Sequence, residues 1–247
     1  MTASPTTTRA TTSGWRAGLP ARNEMNAADE RIDVRGVTGP YRDLVARIAP
    51  AVCQIMHCPE PGVARAIGTG ALIRTSGGIA ILTAGHVAAI GTVGRLRARF
   101  NYERTSPDGP SAPSVDWDLA IAEHWVDGLD YGLVVACDHY GHPPPQNVFA
   151  PLTLGSSGAL HPGETLLCLH HPNGEPKQCS AGRFVAFVDS QLRYRVFTGA
   201  QSSGAPVLNL RGEVVAVHRA EVSSADPGAK IGTAVDAIRK TSPGLGR

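Results

Sequence analysis

The chain has 247 residues, of which 42% are hydrophobic and 18% charged, and its formal net charge is +2. So small a charge does not imply nucleic acid or a membrane surface as a partner, and we expect neither. No apolar run approaches the roughly 18–20 residues needed to cross a bilayer. Glycine (28 residues) and proline (19) are abundant, which favours short strands joined by turns over long helices.

The first 38 residues are rich in Thr, Ala, Ser and Arg and have no periodic apolar pattern. Such a segment has little surface to bury, so we predict that residues 1–38 are a disordered tail ahead of a folded domain over residues 39–242. The tail also lacks the continuous apolar core of a signal peptide, which predicts a cytoplasmic protein.

After a short amphipathic helix in YRDLVARIAP, the chain changes to short apolar segments, separated by Gly, Pro and Ser, that are typical of β-strands. In chain order these are AVCQIMH, ARAIGTGALIR, GIAILTAGHVAA, VGRLRARF, DLAIAEHW, DYGLVVACD, FAPLTL, ETLLCLHH, SAGRFVAFVD, YRVFT, APVLNL and EVVAVHRA. A short helix is predicted at GTAVDAIRK. At least ten strands with turn signals between them predict an all-β sandwich or a pair of barrels over about 200 residues.

A histidine with the placement of a general base lies at the end of an apolar strand in ILTAGHV. His86 follows Thr-Ala-Gly, small residues that let the backbone turn sharply. A general base needs rigid support on one side and access to a cleft on the other. His86 is therefore the candidate base.

A candidate nucleophile lies in TGAQSSGAP, over residues 198–206, between two apolar strands. A nucleophilic serine needs a tight, glycine-bearing turn, because its Oγ must project while nearby backbone N–H groups converge on the developing oxyanion. Ser203, followed by Gly-Ala-Pro, meets this requirement.

Two aspartates are candidates for the acid that orients the base. Asp130, in GLDYGLVVA, comes just before an apolar strand, and Asp118, in DWDLAIAE, begins another. A buried carboxylate at either place would hold the histidine tautomer and stabilise its charged form.

The TAGH box, an aspartate leading an apolar strand, and SGAP occur in the order His, Asp, Ser. Over residues 50–225 the chain resembles the trypsin-like serine peptidases of the chymotrypsin fold, and within them the bacterial glutamyl endopeptidases. The resemblance implies an all-β fold of two six-stranded antiparallel barrels with a catalytic cleft between them. The first barrel would cover residues 50–140 and the second residues 148–225.

The same resemblance implies a catalytic triad of His86, Asp130 and Ser203. Asp130 is preferred because its strand is followed by the Pro-rich HPPPQ and then FAPLTL, which fits a connection between two barrels. The phrase DLAI at Asp118 also fits the acid strand of the family, so Asp118 stays the alternative.

Further site residues follow from the resemblance. The N–H groups of Gln201 and Ser203 would form the oxyanion hole, although the family has glycine where this chain has Gln201. His218 and Thr198 match the histidine and threonine that line the pocket of glutamyl endopeptidases for the residue before the scissile bond. An imidazole and a hydroxyl suit a substrate carboxylate, which predicts cleavage after Glu or Asp.

The predicted function is that of a serine endopeptidase, which works through an acyl-enzyme and needs no metal or organic cofactor. Its substrate is a protein or peptide, and the lack of an export signal predicts action on a partner protein inside the cell. Gln201 motivates the alternative of a weak or inactive domain that binds peptides, since losing one oxyanion donor costs on the order of 100- to 1,000-fold in rate. A serine esterase with little peptidase activity is a further alternative.

Overall fold

The computed structural model describes residues 31–137, 143–221 and 228–245, and in these ranges the chain is built mainly from short antiparallel strands. The elements in chain order are β1 (Arg31–Asp33), α1 (Arg42–Ile48), β2 (Val52–Cys58), β3 (Arg65–Thr75), β4 (Gly78–Thr83), α2 (Gly85–Ala89), β5 (Arg95–Phe100), β6 (Val115–Trp125), β7 (Tyr131–Ala136), β8 (Thr165–His170), β9 (Gln178–Val188), β10 (Gln191–Arg195), β11 (Pro206–Leu208), β12 (Val214–Glu221), β13 (Lys230–Ala234) and α3 (Val235–Thr241). The strands form two closed six-stranded barrels, so the predicted all-β, double-barrel fold is confirmed.

The first barrel closes in the order β2-β3-β4-β7-β6-β5. Alternation along β5 shows why these residues form a strand: Leu96, Ala98 and Phe100 are buried, and the three arginines that alternate with them are more exposed. The ring of Phe100 stacks on that of Phe149 at 4.9 Å and meets the ring of Trp117 edge-on at 5.4 Å. This aromatic cluster lies in the apolar core of the molecule.

The second barrel forms from a sheet in the order β1-β9-β10-β13-β12-β11-β8, which an additional β8–β9 pairing closes around six strands. β9 is long enough to pair with β8 along its first half and with β10 along its second half. The interior of this barrel is filled by a separate cluster of buried side chains: Leu160, Leu166, Cys168, Phe184, Leu192, Tyr194, Val196, Ala205, Val207, Val215 and Ala216. The second barrel therefore has an interior cluster of its own, separate from the larger apolar core to which both barrels contribute.

Residues 31–38 differ from the disorder predicted for them. β1 adds a strand beside β9, and Val34 and Val37 are buried. Two valines in a polar segment give no periodic signal, and their partners lie far away along the chain, so the sequence pattern did not indicate this contact. Residues 1–30 of the predicted tail lie outside the described residues.

The second barrel extends past residue 225, the end that the sequence predicted for it. β13 pairs with both β10 and β12 and completes the barrel. β13 runs directly into α3. The helix predicted at GTAVDAIRK therefore begins three residues too early, because its GTA is the end of the strand. Neither α3 nor any other helix in the described ranges is long and apolar enough to span a bilayer.

The segment FAPLTL connects the barrels and is not a strand of the second one. Leu152 forms an isolated parallel bridge with Ile73 of the first barrel, and Leu154 forms one with Val214 of the second. Single bridges arise because the two leucines are held by different barrels. The segment was predicted to open the second barrel because its apolar alternation is the same as that of a strand.

Candidate active site

His86 lies in the first turn of α2, directly after the end of β4. The preceding Gly85 is required by space: a Cβ there would lie 2.0 Å from the carbonyl oxygen of Trp125. With this close packing the backbone turns sharply, while the side chain of His86 remains 44% exposed. Rigid support and solvent access are both present, as a general base requires.

Asp130 contacts both the ring and the backbone of His86. Its Oδ1 accepts the backbone N–H of His86 at 2.8 Å, and its Oδ2 lies 2.9 Å from the ring Nδ1. The carboxylate accepts the Nδ1 hydrogen, so the ring keeps Nε2 as its basic atom when neutral. The Asp130 side chain is only 4% exposed. The pair therefore has a fixed orientation and a fixed tautomer.

The carboxylate of Asp130 is stabilised in its ionised form. Burial alone would raise its pKa, but hydrogen bonds from the ring and the backbone of His86, together with the positive charge of Arg219, lower the pKa below its ordinary value of 3.8. Arg219 makes a direct ion pair, with its Nε 3.1 Å from Asp130 Oδ2. Asp130 is thus charged at neutral pH.

Asp118 lies elsewhere, on β6 of the first barrel. Its carboxylate pairs with Arg95 at 2.5 Å and with Arg97 at 2.9 Å, both on the neighbouring β5. These ion pairs oppose the effect of burial and lower the pKa of Asp118. The contacts of Asp118 are therefore those of a surface ion-pair network, and it is Asp130 that meets His86.

The turn that carries Ser203 packs against the loop that carries His86. At Gly204, where φ is +88°, a Cβ would lie 2.1 Å from Thr83 Oγ1, 2.2 Å from the carbonyl oxygen of Thr69 and 2.8 Å from the amide nitrogen of Ala84. Thr69 also donates its backbone N–H to the carbonyl of Ser203 at 2.9 Å. Only glycine fits this contact, which brings the turn of the second barrel onto the first.

Ser203 Oγ donates a hydrogen bond to the carbonyl oxygen of Arg219 at 3.2 Å. Next to it, the N–H of Gly204 donates to the carbonyl of His218 at 2.8 Å, and the N–H of His218 donates to the carbonyl of Ala205. The turn is thus held against the end of β12 by three hydrogen bonds.

Gln201 has a left-handed backbone, with φ +61°, which is the region that glycine enters without strain. Its carbonyl accepts a hydrogen bond from Thr69 Oγ1 at 3.0 Å, which fixes the orientation of the following peptide. In the described parts of the chain, no protein acceptor takes the backbone N–H of Gln201 or of Ser203. These are the two N–H groups that the sequence predicts for the oxyanion hole.

A buried chain of polar groups supports the turn from inside the second barrel. Ser202 Oγ accepts the N–H of Gly199 at 3.1 Å and is hydrogen-bonded to His170 Nδ1 at 2.7 Å, while His170 Nε2 lies 3.0 Å from Ser180 Oγ. Ser202, His170 and Ser180 are fully buried. Sequence reasoning missed this chain, and the only signal for it was the unusual HHP at residues 170–172.

The pocket residues predicted from the sequence differ in their contacts. His218 is buried, and its Nδ1 lies 2.6 Å from the hydroxyl of Tyr194. Thr198 is half-buried just before the turn of Gly199. Burial lowers the pKa of His218 to about 3, and the positive charges of Lys230 and His86 act in the same direction. The imidazole is therefore neutral at neutral pH and carries no positive charge.

Lys230 is a largely buried cation whose charge acts on His218, and the sequence did not indicate it. It is 8% exposed, and it pairs with Tyr194 in the β10–β13 register. A lysine near the end of a polar segment gives no signal of burial. The pairing of β13 with β12 brings its charge within electrostatic range of the imidazole.

Two six-stranded barrels, with a histidine–aspartate pair on one and a tight serine turn on the other, define the class of double-barrel serine peptidases. A family model described as the trypsin-like peptidase domain matches residues 68–217, which is more than half of the chain, and the chain belongs to this family. The resemblance recognised in the sequence is thereby confirmed at the level of the family.

Among solved structures, the chain is similar to an HtrA-type protease, AlgW, in complex with a decapeptide. The two are 15% identical with a TM-score of 0.60, and the match covers 81% of this chain and 65% of the other. At this identity the likeness concerns the fold. No curated protein sequence matches the chain.

Proposed function

We propose that the chain is a serine endopeptidase in which His86, Asp130 and Ser203 form the catalytic triad. The observation that carries the proposal is the double contact of Asp130 with the ring and backbone of His86, at 2.9 and 2.8 Å, in a loop that packs against the turn of Ser203. Asp130 is preferred to Asp118 as the acid because the latter is occupied by Arg95 and Arg97.

The chemistry is two-step acyl transfer. Ser203 Oγ gives its proton to His86 Nε2 and attacks the peptide carbonyl, and Asp130 stabilises the imidazolium that forms. The N–H groups of Gln201 and Ser203 hold the oxyanion. His86 then protonates the leaving amine, and a water molecule that gives its proton to the same ring hydrolyses the ester.

Ser203 Oγ has to leave the carbonyl of Arg219 before it can donate to His86. The 3.2 Å hydrogen bond to that carbonyl is a resting arrangement, and rotation about the Cα–Cβ bond of Ser203 breaks it. One neutral hydrogen bond contributes about 1 kcal/mol, so this rotation is a small cost in the catalytic cycle.

For the residue before the scissile bond, we propose preference for Glu and Asp. In the arrangement proposed for this pocket, the hydroxyl of Tyr194, which stays protonated because burial raises its pKa, donates to His218 Nδ1. A neutral His218 then carries its hydrogen on Nε2 and donates it to a carboxylate. The positive charge of Lys230 acts on His218 and favours an anionic group near it, and Thr198 is a further donor.

The test of catalysis is cleavage of a mixed peptide library by the wild type and by Ser203→Ala, read by mass spectrometry. We expect cuts by the wild type alone, and rapid labelling of the wild type by a fluorophosphonate. Cleavage of chromogenic esters but not of peptides would indicate the esterase instead. A folded wild type that neither cuts nor is labelled contradicts the proposal and leaves a peptide-binding domain.

The test of specificity is Lys230→Met, compared with Lys240→Met on the exposed face of α3. Removing a positive charge that acts on His218 weakens the electrostatic attraction of a carboxylate near it, so we expect Lys230→Met to reduce kcat/KM for Glu substrates by about tenfold relative to their Gln analogues. Lys240→Met keeps the wild-type ratio. An equal ratio of Glu to Gln cleavage in the two variants would show that the charge of Lys230 does not contribute to specificity.

A further inference from the structure

Arg219, the residue after His218 on β12, contacts both the acid and the nucleophile of the proposed triad. Its Nε lies 3.1 Å from Asp130 Oδ2, and its backbone carbonyl accepts the hydrogen bond from Ser203 Oγ at 3.2 Å. The side chain is 27% exposed, so its charge is screened only in part. One residue of the second barrel thus reaches the catalytic groups of both barrels.

The contacts of Arg219 continue along the loop that precedes Asp130. Its Nη1 donates to the carbonyl of Gly128 at 2.9 Å, and Thr233 of β13 donates its hydroxyl to the carbonyl of Leu129. Three consecutive residues of the first barrel are therefore held by the second barrel. Asp130 itself has a left-handed backbone, with φ +49°, which such contacts help to maintain.

The charged and titratable groups on the strands around the His86–Asp130 pair lie on β6, β7, β12 and β13. Arg219 and His218 lie on β12, and His218 is neutral because its pKa is lowered to about 3. Lys230 on β13 acts on His218. Tyr131 on β7 follows Asp130, bonds Glu123 on β6, and stays protonated because burial raises its pKa. Arg219 is the cation in contact with Asp130.

We propose that Arg219 is a positioning residue of the catalytic centre, which holds Asp130 from the opposite barrel and shares the charge of its carboxylate with His86. The proposal rests on the proposed peptidase function. A carboxylate already paired with a guanidinium attracts an imidazolium less strongly than a carboxylate without this partner. Arg219 therefore fixes the position of the Asp130 carboxylate and offsets part of the negative charge with which that carboxylate holds an imidazolium.

The experiment compares wild type, Arg219→Gln and Arg219→Lys, with Arg95→Gln as a matched loss of an arginine–aspartate pair on the first barrel. The readout is the pH dependence of the rate of fluorophosphonate labelling at low ionic strength. We expect Arg219→Gln to raise the pH of half-maximal labelling by about one unit, because a charge within about 4–6 Å is lost. Arg219→Lys restores the midpoint towards the wild type, and Arg95→Gln does not move it.

A uniform loss of rate at every pH in both Arg219 variants, with the midpoint unchanged, would assign Arg219 a merely structural role and overturn the proposal. A second measurement does not need catalysis: the ¹H resonance of the His86 Nδ1 proton, assigned by its absence in His86→Ala. We expect its pH midpoint to rise in Arg219→Gln. If the wild type is never labelled but this midpoint rises, the peptidase function fails and the role of Arg219 stands; an unmoved resonance rejects that role.

Discussion

The hydroxyl of Ser202 and Nδ1 of His170 are 2.7 Å apart, and both side chains are fully buried. Ser202 directly precedes Ser203, the proposed nucleophile. Since Ser202 also accepts the N–H of Gly199, this hydroxyl connects the segment just before Ser203 to the interior of the second barrel. The shape of the turn therefore depends on side chains that no substrate touches.

Ser202→Ala removes the hydroxyl that bonds His170 Nδ1 and accepts the N–H of Gly199. We expect a loss of about 1–3 kcal/mol in the free energy of unfolding, measured by urea denaturation. We also expect slower fluorophosphonate labelling, because the N–H groups of Gln201 and Ser203 lose their common orientation. Ser156→Ala is the control, since it removes an exposed hydroxyl bonded to Asp236. Equal effects of the two substitutions would contradict the role given to Ser202.

Gly204→Ala tests the contact between the barrels. The new Cβ would lie 2.1 Å from Thr83 Oγ1 and 2.2 Å from the carbonyl of Thr69, at a φ of +88°. We expect destabilisation by more than about 3 kcal/mol, since backbone strain and overpacking add. Gly163→Ala is a matched control: its φ is +89° and nothing lies within 4 Å of its added Cβ. The control is expected to lose only about 1–2 kcal/mol, the cost of the left-handed backbone.

Gln201→Gly tests whether the departure from glycine limits the oxyanion hole. The substitution keeps the N–H and removes the strain of a non-glycine residue at φ +61°, which is worth about 1 kcal/mol in the folded state. We expect stability to rise by up to that amount and the plateau rate of labelling to stay the same, because Thr69 already fixes the peptide. A large increase in the plateau rate would show that Gln201 holds the hole in an unproductive state.

The buried imidazole of His218 makes stability depend on pH. Its pKa falls from the ordinary 6.5 to about 3 on folding, so the unfolded chain binds a proton in this interval that the folded chain does not. The contribution of His218 to the free energy of unfolding is therefore complete above pH 6.5 and is lost as pH falls towards 3. The loss approaches about 1.4 kcal/mol per pH unit within the interval.

The measurement is the free energy of urea unfolding from pH 7 to pH 4 for wild type, His218→Gln and His161→Gln. We expect a shallower pH slope in His218→Gln, whose side-chain oxygen can still accept from Tyr194. The exposed His161 is the control, and its substitution leaves the slope near that of the wild type. A slope unchanged by His218→Gln would mean that His218 titrates normally in the folded protein.

Local pattern was sufficient for much of the fold. The alternation in β5, the apolar runs of β8 and β12 and the turn residues between them are short-range signals, because side chains on a strand point alternately to its two faces. Where the pattern failed, the partners were distant: β1 and β13 are strands only because other strands pair with them. The connection at FAPLTL failed for the same reason, since each of its leucines pairs with a different barrel.

The sequence by itself determined which residue types could carry the chemistry: a histidine after a sharp turn, a serine in a glycine-bearing turn, and two aspartates. Only the tertiary structure decided which groups meet. Asp130 contacts His86 and Asp118 contacts two arginines, a difference that depends on strand register and not on composition. The ion pair of Arg219 with Asp130 and the electrostatic effect of Lys230 on His218 also join groups from separate parts of the chain. Electrostatic coupling depends on distance in space, and it therefore becomes defined only when the two barrels close and pack together.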